Sequence, residues 1–307
     1  DARTGKAAYP VIGWEDARTA EDCRTLRRKS GRAVQARTGL PIDSYFSASK
    51  IRWAIDRVPA VKRLAKDGRL AFGTIDSWLL FHLCAERPRV TDETNASRTL
   101  LFNIRTRSWD GELLAVFGIP ADVLPVVLPS RAAFGTLAAS VVGRAIPVVA
   151  VCGDQQSSAY ACARVPGAGA RPTKVTYGTG SFVVQTTGRR FAAHPGFFTT
   201  LVPGKRGSVF ALESKVEGSG ETVAALLDDP AGLARYLKSL AKKIRAKLAR
   251  LPRRPTRVVV DGGVARDGIV VGFQRDASGM RTCLLHPYDG TALGAALLAW
   301  DALPDRR

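Results

Sequence analysis

The chain has 307 residues, which is enough for two ordinary domains, and 46% of them are hydrophobic while 24% are charged. This composition is typical of a globular protein and excludes wholesale disorder, collagen-like sequence and low-complexity chains. The longest apolar run covers residues 145–152, far short of the roughly 18 to 20 residues that a membrane-spanning helix needs. We therefore predict a soluble protein without a membrane partner.

The charge is strongly positive. Lys and Arg number 46 against 27 Asp and Glu, a net charge of +19, and such a balance attracts polyanions. The cations are spread along the whole chain, which favours a solvated surface over a binding stripe. Polyanion binding is therefore the minor alternative, and nucleic acid is not favoured as a partner.

Cysteine and histidine do not form a metal-binding or disulfide pattern. Three histidines are scattered, and the cysteines form no CxxC pair. We predict free, buried thiols in a reducing compartment and no metal site built from these residues. The five cysteines are Cys23, Cys84, Cys152, Cys162 and Cys283.

The first half of the chain has apolar residues at helical spacing. The predicted helices cover residues 19–28, 50–64, 72–83 and 110–117, and a single turn follows at 121–124. The β-branched run 146–152 predicts a buried strand that carries Asp154 at its carboxyl end, before a helix over 155–164.

A Pro/Gly/Ala-rich hinge at 165–172 is the predicted domain boundary, so the domains are 1–165 and 166–307. Strands over 173–177 and 181–187 flank Gly178-Thr179-Gly180 and predict a hairpin. Residues 257–260 predict another strand, and 291–300 an Ala-rich helix.

Residues 231–251 predict a long amphipathic helix with a leucine stripe. Residues 231–257 contain ten Lys and Arg and no acid. Such a helix can dock on membranes or acidic partners. The favoured interpretation is a helix that packs its leucines on a sheet and exposes its basic face.

Three glycine-bearing turns follow predicted strands: Gly153-Asp154, Gly178-Thr179-Gly180 and Gly262-Gly263. Their backbone N–H groups are open to a phosphate or nucleotide. The sequence has neither the P-loop motif nor a GxGxxG motif followed by an acid, which counts against P-loop enzymes and ordinary dinucleotide dehydrogenases. Asp154 is the best candidate for a general base, and a helix N-cap is an equally supported role for it.

The chain resembles the glycerol kinases, within the FGGY family of carbohydrate kinases, over nearly its whole length. The motif VTDETNASRTLLFNI (90–104) is particularly similar to glycerol kinases. Further matching stretches are TGKAAYPVIGWEDARTAE (4–21), TGLPIDSYFSASKIRWAID (38–56), FGTIDSWLLFHL (72–83), IPADVLPVVLPS (119–130), GDQQSSAYA (153–161), TYGTGSFVVQTTG (176–188), VVVDGGVARDGIVVGFQRD (258–276) and TALGAALLAW (291–300).

The resemblance implies an α/β fold of two actin-like ATPase (ribonuclease H-like) domains with a cleft between them. It implies ATP and Mg²⁺ as cofactors, and a reaction that converts glycerol and ATP to glycerol 3-phosphate and ADP. It further implies a cytoplasmic enzyme whose partners are glycerol and ATP/ADP, and homo-oligomer formation is left open.

The resemblance also implies site residues. Asp154 matches the general base and is the candidate contact to Mg²⁺ through water. Its neighbour Gln155 matches a polyol contact and Tyr45 a hydrogen-bond donor to glycerol, while Trp14 and Phe182 match apolar walls. The matching nucleotide-side residues are Gly178, Thr179, Gly180, Gly262, Gly263 and Asp267.

Two segments of the family pattern are missing. The first is the N-terminal phosphate loop with the Arg-Glu pair that follows it, and the second is an internal part of the C-terminal domain. We therefore expect two incomplete domains. The alternatives to an active kinase are a catalytically inactive fragment or pseudokinase and, less favoured, a polyanion-binding protein on a kinase scaffold.

Overall fold

The computed structural model of the chain describes residues 1–178, 180–216, 220–266, 268–286 and 289–303, with the backbone alone at Glu221. These residues form two units: Asp1–Cys152 with residues 302–303, and Gly153–Asp301. The predicted boundary at 165/166 lies later in the chain, because the helix that begins at Asp154 groups with the second unit. The division into a polyol-side and an ATP-side domain stays a prediction.

The first unit is rich in helices and has short strand pairs. β1 pairs with β4 in parallel, whereas β2 with β3 and β5 with β6 are antiparallel. Its elements in chain order are α1 (Ala20–Thr38), α2 (Ser47–Arg57), α3 (Pro59–Lys66), α4 (Ile75–Leu83), β1 (Val90–Asp92), α5 (Glu93–Ala96), β2 (Phe102–Asn103), β3 (Ser108–Trp109), α6 (Gly111–Phe117), β4 (Val126–Leu128), β5 (Arg131–Leu137), α7 (Ala139–Val142) and β6 (Ile146–Ala150).

Two predictions for this unit need correction. The helix predicted over 50–64 is two helices, because the residue before Pro59 is driven out of the helical region. Val58 has φ −103° and ψ 110°, and Pro59 opens α3. The strand predicted over 146–152 ends at Ala150 and is half-exposed rather than buried, since within the described residues it pairs only with β5.

Asp92, at the end of β1, is an anchor of the first unit. Its carboxylate is buried and accepts hydrogen bonds from the backbone amides of Thr94 and Asn95, each at 3.0 Å. It also accepts from the Thr94 hydroxyl, the Asn95 side-chain amide and the Ser130 hydroxyl at 2.6–2.7 Å. One side chain therefore caps α5 and joins β1 to the loop before β5.

The second unit is built on a mixed six-stranded sheet. In chain order its elements are α8 (Asp154–Cys162), β7 (Thr173–Tyr177), β8 (Ser181–Gly188), β9 (Phe198–Val202), β10 (Val209–Val216), α9 (Gly220–Ala225), α10 (Pro230–Ala249), β11 (Arg257–Asp261), α11 (Ile269–Ser278), β12 (Arg281–Leu284) and α12 (Gly290–Trp300). The strand order is β12-β11-β7-β8-β10-β9. β12, β11 and β7 are parallel, and the remaining pairs are antiparallel.

The two faces of this sheet have different helices and different chemistry. Val175 and Tyr177 pack with α10 and α11 in the main hydrophobic core. The alternating residues of β7, Lys174 and Thr176, are buried on the opposite face, where α8 packs beside α12. One face of the sheet is thus apolar, and the other has buried polar residues.

The packing interpretation of the leucine-striped helix is confirmed. Leu237, Leu240, Ile244 and Leu248 of α10 are buried in the main core. None of the helices in the described ranges is long and apolar enough to span a bilayer. Polyanion binding by the basic face of α10 stays a prediction.

α8 and α12 approach closely because α12 has glycine where the helices meet. A Cβ on Gly294 would lie 1.9 Å from the Ser157 carbonyl oxygen. The Ser157 hydroxyl also donates to the Thr291 carbonyl at 2.7 Å. The N-terminal turn of α8 is therefore held firmly in the second unit.

We expect Asp92→Ala to lower the free energy of unfolding by about 3 to 5 kcal/mol, because several buried donors lose their acceptor. Urea unfolding followed by circular dichroism measures this. The matched control is Asp110→Ala, since Asp110 caps α6 in the same way but is partly exposed, and its cost should be about 1 kcal/mol. Equal costs for the two variants would contradict the anchoring role of Asp92.

Candidate active site

Asp154 is the first residue of α8, directly after Gly153 in the N-cap position. Its side chain is exposed, and its Oδ1 accepts the Gln155 N–H at 2.7 Å. The N-cap role is therefore wrong in position, because Gly153 occupies that place. An exposed carboxylate at a helix N-terminus, where the helix dipole favours negative charge, can accept a proton from a bound ligand.

Gln155 points its side chain into the second unit. Its Oε1 accepts a hydrogen bond from Lys174 Nζ at 3.0 Å. Lys174 lies in β7 and is only 1% exposed. The sequence analysis missed this lysine, although a lysine inside the strand-like run TKVTY is a signal that could have drawn attention to it.

Lys174 is part of a buried polar cluster. Its ammonium group also donates to Ser158 Oγ and Thr176 Oγ1, each at 2.7 Å. Both hydroxyls then donate to the carboxylate of Asp261, the Thr176 contact at 2.6 Å. We call Gln155, Ser158, Lys174, Thr176 and Asp261 the Lys174 cluster. It places a positive and a negative charge together, which is what buried charges require.

The glycine turns lie at the same edge of the sheet. β7 and β11 run in parallel with Asp261 opposite Thr176, and the carboxyl ends of parallel strands are where α/β folds bind ligands. Gly262 has φ +97°, and a Cβ there would lie 2.4 Å from the Tyr177 carbonyl oxygen. Only glycine therefore permits this close approach of the two turns.

Neighbouring glycines leave space for a ligand. A Cβ on Gly263 would meet nothing within 4 Å, and one on Gly178 would meet only the Gly180 carbonyl at 3.7 Å. Backbone groups in such open turns can receive phosphate oxygens. Thr179 and Asp267, which complete the predicted nucleotide side, lie outside the described residues.

Phe182 lies near the first of these turns. It is half-buried in β8 and pairs with Thr176 across the hairpin. Its ring edge is 3.2 Å from the position of a Cβ on Gly180. Phe182 therefore shares the sheet face of the Lys174 cluster.

The first unit brings together Trp14 and Tyr45. Their ring centroids are 5.3 Å apart at an interplanar angle of 59°, and Phe46 packs edge-on against Tyr45 at 5.1 Å. Trp14 is 48% exposed. This arrangement is an accessible aromatic surface of the kind that contacts the carbon face of a polyol.

A buried lysine supports the aromatic pair. Lys50 Nζ donates to the carbonyl of Gly13, the residue before Trp14, at 2.6 Å. Burial lowers the pKa of Lys50 from its usual range. The Trp14 backbone is thereby linked to α2.

Two further groups near the Lys174 cluster stay protonated at neutral pH. Burial raises the pKa of the Cys162 thiol to about 12, and the charge of Asp261 raises it further. Burial also raises the pKa of the Tyr177 phenol. Neither group is thus an anionic nucleophile, which leaves carboxylate chemistry at Asp154.

The chain is similar in sequence to carbohydrate kinases. Residues 1–161 match the N-terminal domain of the FGGY family of carbohydrate kinases. A glycerol kinase of Polaromonas naphthalenivorans is 45% identical over 231 residues, which is 74% of this chain and 46% of that protein. One from Koribacter versatilis is 46% identical over 233 residues, with the same coverage. The chain spans about half the length of these relatives.

A longer alignment covers nearly the whole chain. A glycerol kinase of Geobacter sp. (strain M21) is 36% identical over 362 residues, 97% of this chain and 72% of that protein. This alignment has more positions than the 307 residues of the chain. Gaps in this chain are therefore required, in agreement with the missing internal segment that the sequence predicts.

Solved structures share the fold. A Plasmodium falciparum glycerol kinase with ADP superposes with a TM-score of 0.87 at 26% identity, covering 99% of this chain and 73% of that one. A Rhodospirillum rubrum xylulose kinase superposes with a TM-score of 0.79 at 20% identity, covering 98% and 73%. The predicted fold class, α/β with actin-like ATPase domains, is confirmed. The chain belongs to the FGGY family of carbohydrate kinases.

Proposed function

We propose that this chain transfers the γ-phosphoryl group of ATP to glycerol, giving ADP and glycerol 3-phosphate, with Asp154 as the general base. The observation that carries the proposal is the exposed Asp154 carboxylate beside Gln155, whose amide is held by a buried lysine. The similarity to bacterial glycerol kinases supports glycerol as the polyol.

The proposed chemistry needs a proton acceptor and an orienting donor. As a glycerol oxygen attacks the γ-phosphorus, its proton passes to the Asp154 carboxylate. The Gln155 amide donates to a second oxygen of the polyol and orients it. Tyr45 donates a further hydrogen bond, and Trp14 and Phe182 cover the carbon face and exclude water.

The nucleotide side is assigned to the glycine turns. Gly178 and Gly180 face the phosphates, and Gly262 and Gly263 the adenosine, in agreement with the open space at Gly178 and Gly263. Mg²⁺ enters with ATP as part of the substrate. It needs one or two protein carboxylates besides the phosphates, and Asp154 is the candidate, through water.

The first test is ADP release from MgATP by the purified chain with and without glycerol. We expect Asp154→Asn to lower glycerol-dependent turnover by about 10²- to 10⁴-fold, because the amide cannot accept the hydroxyl proton. Asp229→Asn is the matched control, since Asp229 caps α10 and is outside the proposed site. Full activity in Asp154→Asn would overturn the general base.

If the folded chain releases no ADP, the inactive-fragment alternative replaces the proposed activity. Calorimetric titration with ADP and with glycerol separates the two parts of that alternative. An inactive kinase fold that retains its sites still binds both ligands, whereas a scaffold that has lost them binds neither.

We expect Tyr45→Phe to raise the KM for glycerol by up to about tenfold, with a smaller effect on kcat, because one hydrogen bond to the polyol is lost. Tyr9→Phe is the control: Tyr9 also packs against a tryptophan, at 5.6 Å from Trp53, and its hydroxyl accepts from Arg18. Equal KM changes in the two variants would remove Tyr45 from the proposed site.

We expect Gly263→Ala to raise the KM for ATP by up to about tenfold, because its methyl group enters the space assigned to the nucleotide and hinders a backbone contact. Gly272→Ala in α11 is the control, since its Cβ also meets nothing within 4 Å. Steady-state kinetics at saturating glycerol measures the effect. An unchanged KM in Gly263→Ala would place the nucleotide elsewhere.

A further inference from the structure

The most constrained polar group in the second unit is the ammonium of Lys174. A lysine that is 1% exposed is rare, and it requires a partner for each proton and for its charge. Its three protons have three acceptors: Gln155 Oε1 at 3.0 Å, Ser158 Oγ at 2.7 Å and Thr176 Oγ1 at 2.7 Å. All three donors of Lys174 are therefore used.

The direction of each hydrogen bond in the cluster follows from chemistry. An ammonium group only donates, so the Ser158 and Thr176 hydroxyls must accept from Lys174. Each hydroxyl then has one proton left, and both donate it to the carboxylate of Asp261. Asp261 is 2% exposed, so the two charges are balanced through two hydroxyls.

The same logic sets the orientation of the Gln155 amide. The two ends of a glutamine amide are normally hard to distinguish, but only the oxygen can accept from Lys174. The NH₂ end must therefore turn away from Lys174. Gln155 follows Asp154 and is half-buried, so a hydrogen-bond donor is presented next to a carboxylate acceptor.

We propose that Lys174 is a positioning residue that holds the Gln155 amide as a hydrogen-bond donor for the polyol. This inference rests on the proposed function. The donor of Gln155 and the acceptor of Asp154 together suit two hydroxyl groups on neighbouring carbons. One hydroxyl oxygen accepts from Gln155, and the other hydroxyl gives its proton to Asp154.

Packing around the cluster keeps this arrangement rigid. A Cβ on Gly290 would lie 2.4 Å from Asp261 Oδ2 and 2.9 Å from Ser158 Oγ, so the start of α12 covers the cluster tightly. Asp261 also directly precedes Gly262, which touches the Tyr177 backbone. The cluster thus joins the start of α8 to the strand ends that carry the glycine turns.

The kinetic test is a double-mutant cycle on Lys174→Met and Gln155→Ala. We expect each single variant to raise the KM for glycerol by about tenfold, the effect of losing one hydrogen bond. The double variant should be no worse than Gln155→Ala, because Lys174 acts on the polyol through Gln155. Lys238→Met, on the exposed face of α10, controls for the lost charge. Multiplicative effects on KM in the double variant would overturn the inference.

A second pair of variants separates positioning from stability. Lys174→Met leaves Asp261 charged and uncompensated, so its thermal midpoint should fall. Lys174→Met with Asp261→Asn removes both charges, and its thermal midpoint should recover toward that of the parent chain. The KM for glycerol should stay raised, because Gln155 still lacks its donor. Recovery of KM together with stability would mean that Lys174 has only a structural role.

The last measurement does not depend on activity. The side-chain amide protons of Gln155 are assigned in ¹⁵N-labelled protein by their loss in Gln155→Ala. We expect Lys174→Met to shift these resonances and speed their exchange with water, whereas Lys238→Met leaves them in place. Unchanged signals in Lys174→Met overturn the inference. If the chain lacks turnover but the signals change, the proposed function fails while the Lys174 to Gln155 contact stands.

Discussion

The second unit depends on one constraint, the burial of opposite charges on Lys174 and Asp261. Neither can be moved alone without leaving a charge in a low-dielectric interior, which is strongly unfavourable. Because Ser158 and Thr176 connect them, the start of α8 is tied to the carboxyl ends of β7 and β11. The exposed pair Asp154 and Gln155 is therefore presented from a rigid base, which is what positional catalysis requires.

Both units use a buried carboxylate at a strand end to organise the backbone around it. Asp92 follows β1 and collects donors from α5 and from Ser130, while Asp261 ends β11 and collects two hydroxyls. In each case the sheet supplies the position and short polar side chains supply the satisfaction that burial demands. Such clusters are specific because every member must be present, and a partly satisfied cluster is unfavourable.

Local sequence signals predicted the elements whose neighbours along the chain decide them. The turn that closes α6 at Gly118, the hairpin of β7 and β8, and the leucine stripe of α10 are of this kind. The helix over 50–64 was predicted wrongly, since helical periodicity continues across Pro59 while the backbone does not. Burial of the strand over 146–152 was also wrong, because β-branched composition does not report how many partners a strand has.

The sequence by itself determined the family, the candidate carboxylate and the glycine turns, since each is a contiguous motif. The role of Lys174 was decided only by the tertiary structure. Its partners are separated along the chain, from Gln155 to Asp261, and only the parallel pairing of β7 with β11 and the packing of α8 bring them together. The same holds for Trp14 and Tyr45, whose contact requires folding of the first unit. Long-range packing leaves no periodic signal in the sequence, which is the physical reason for the difference.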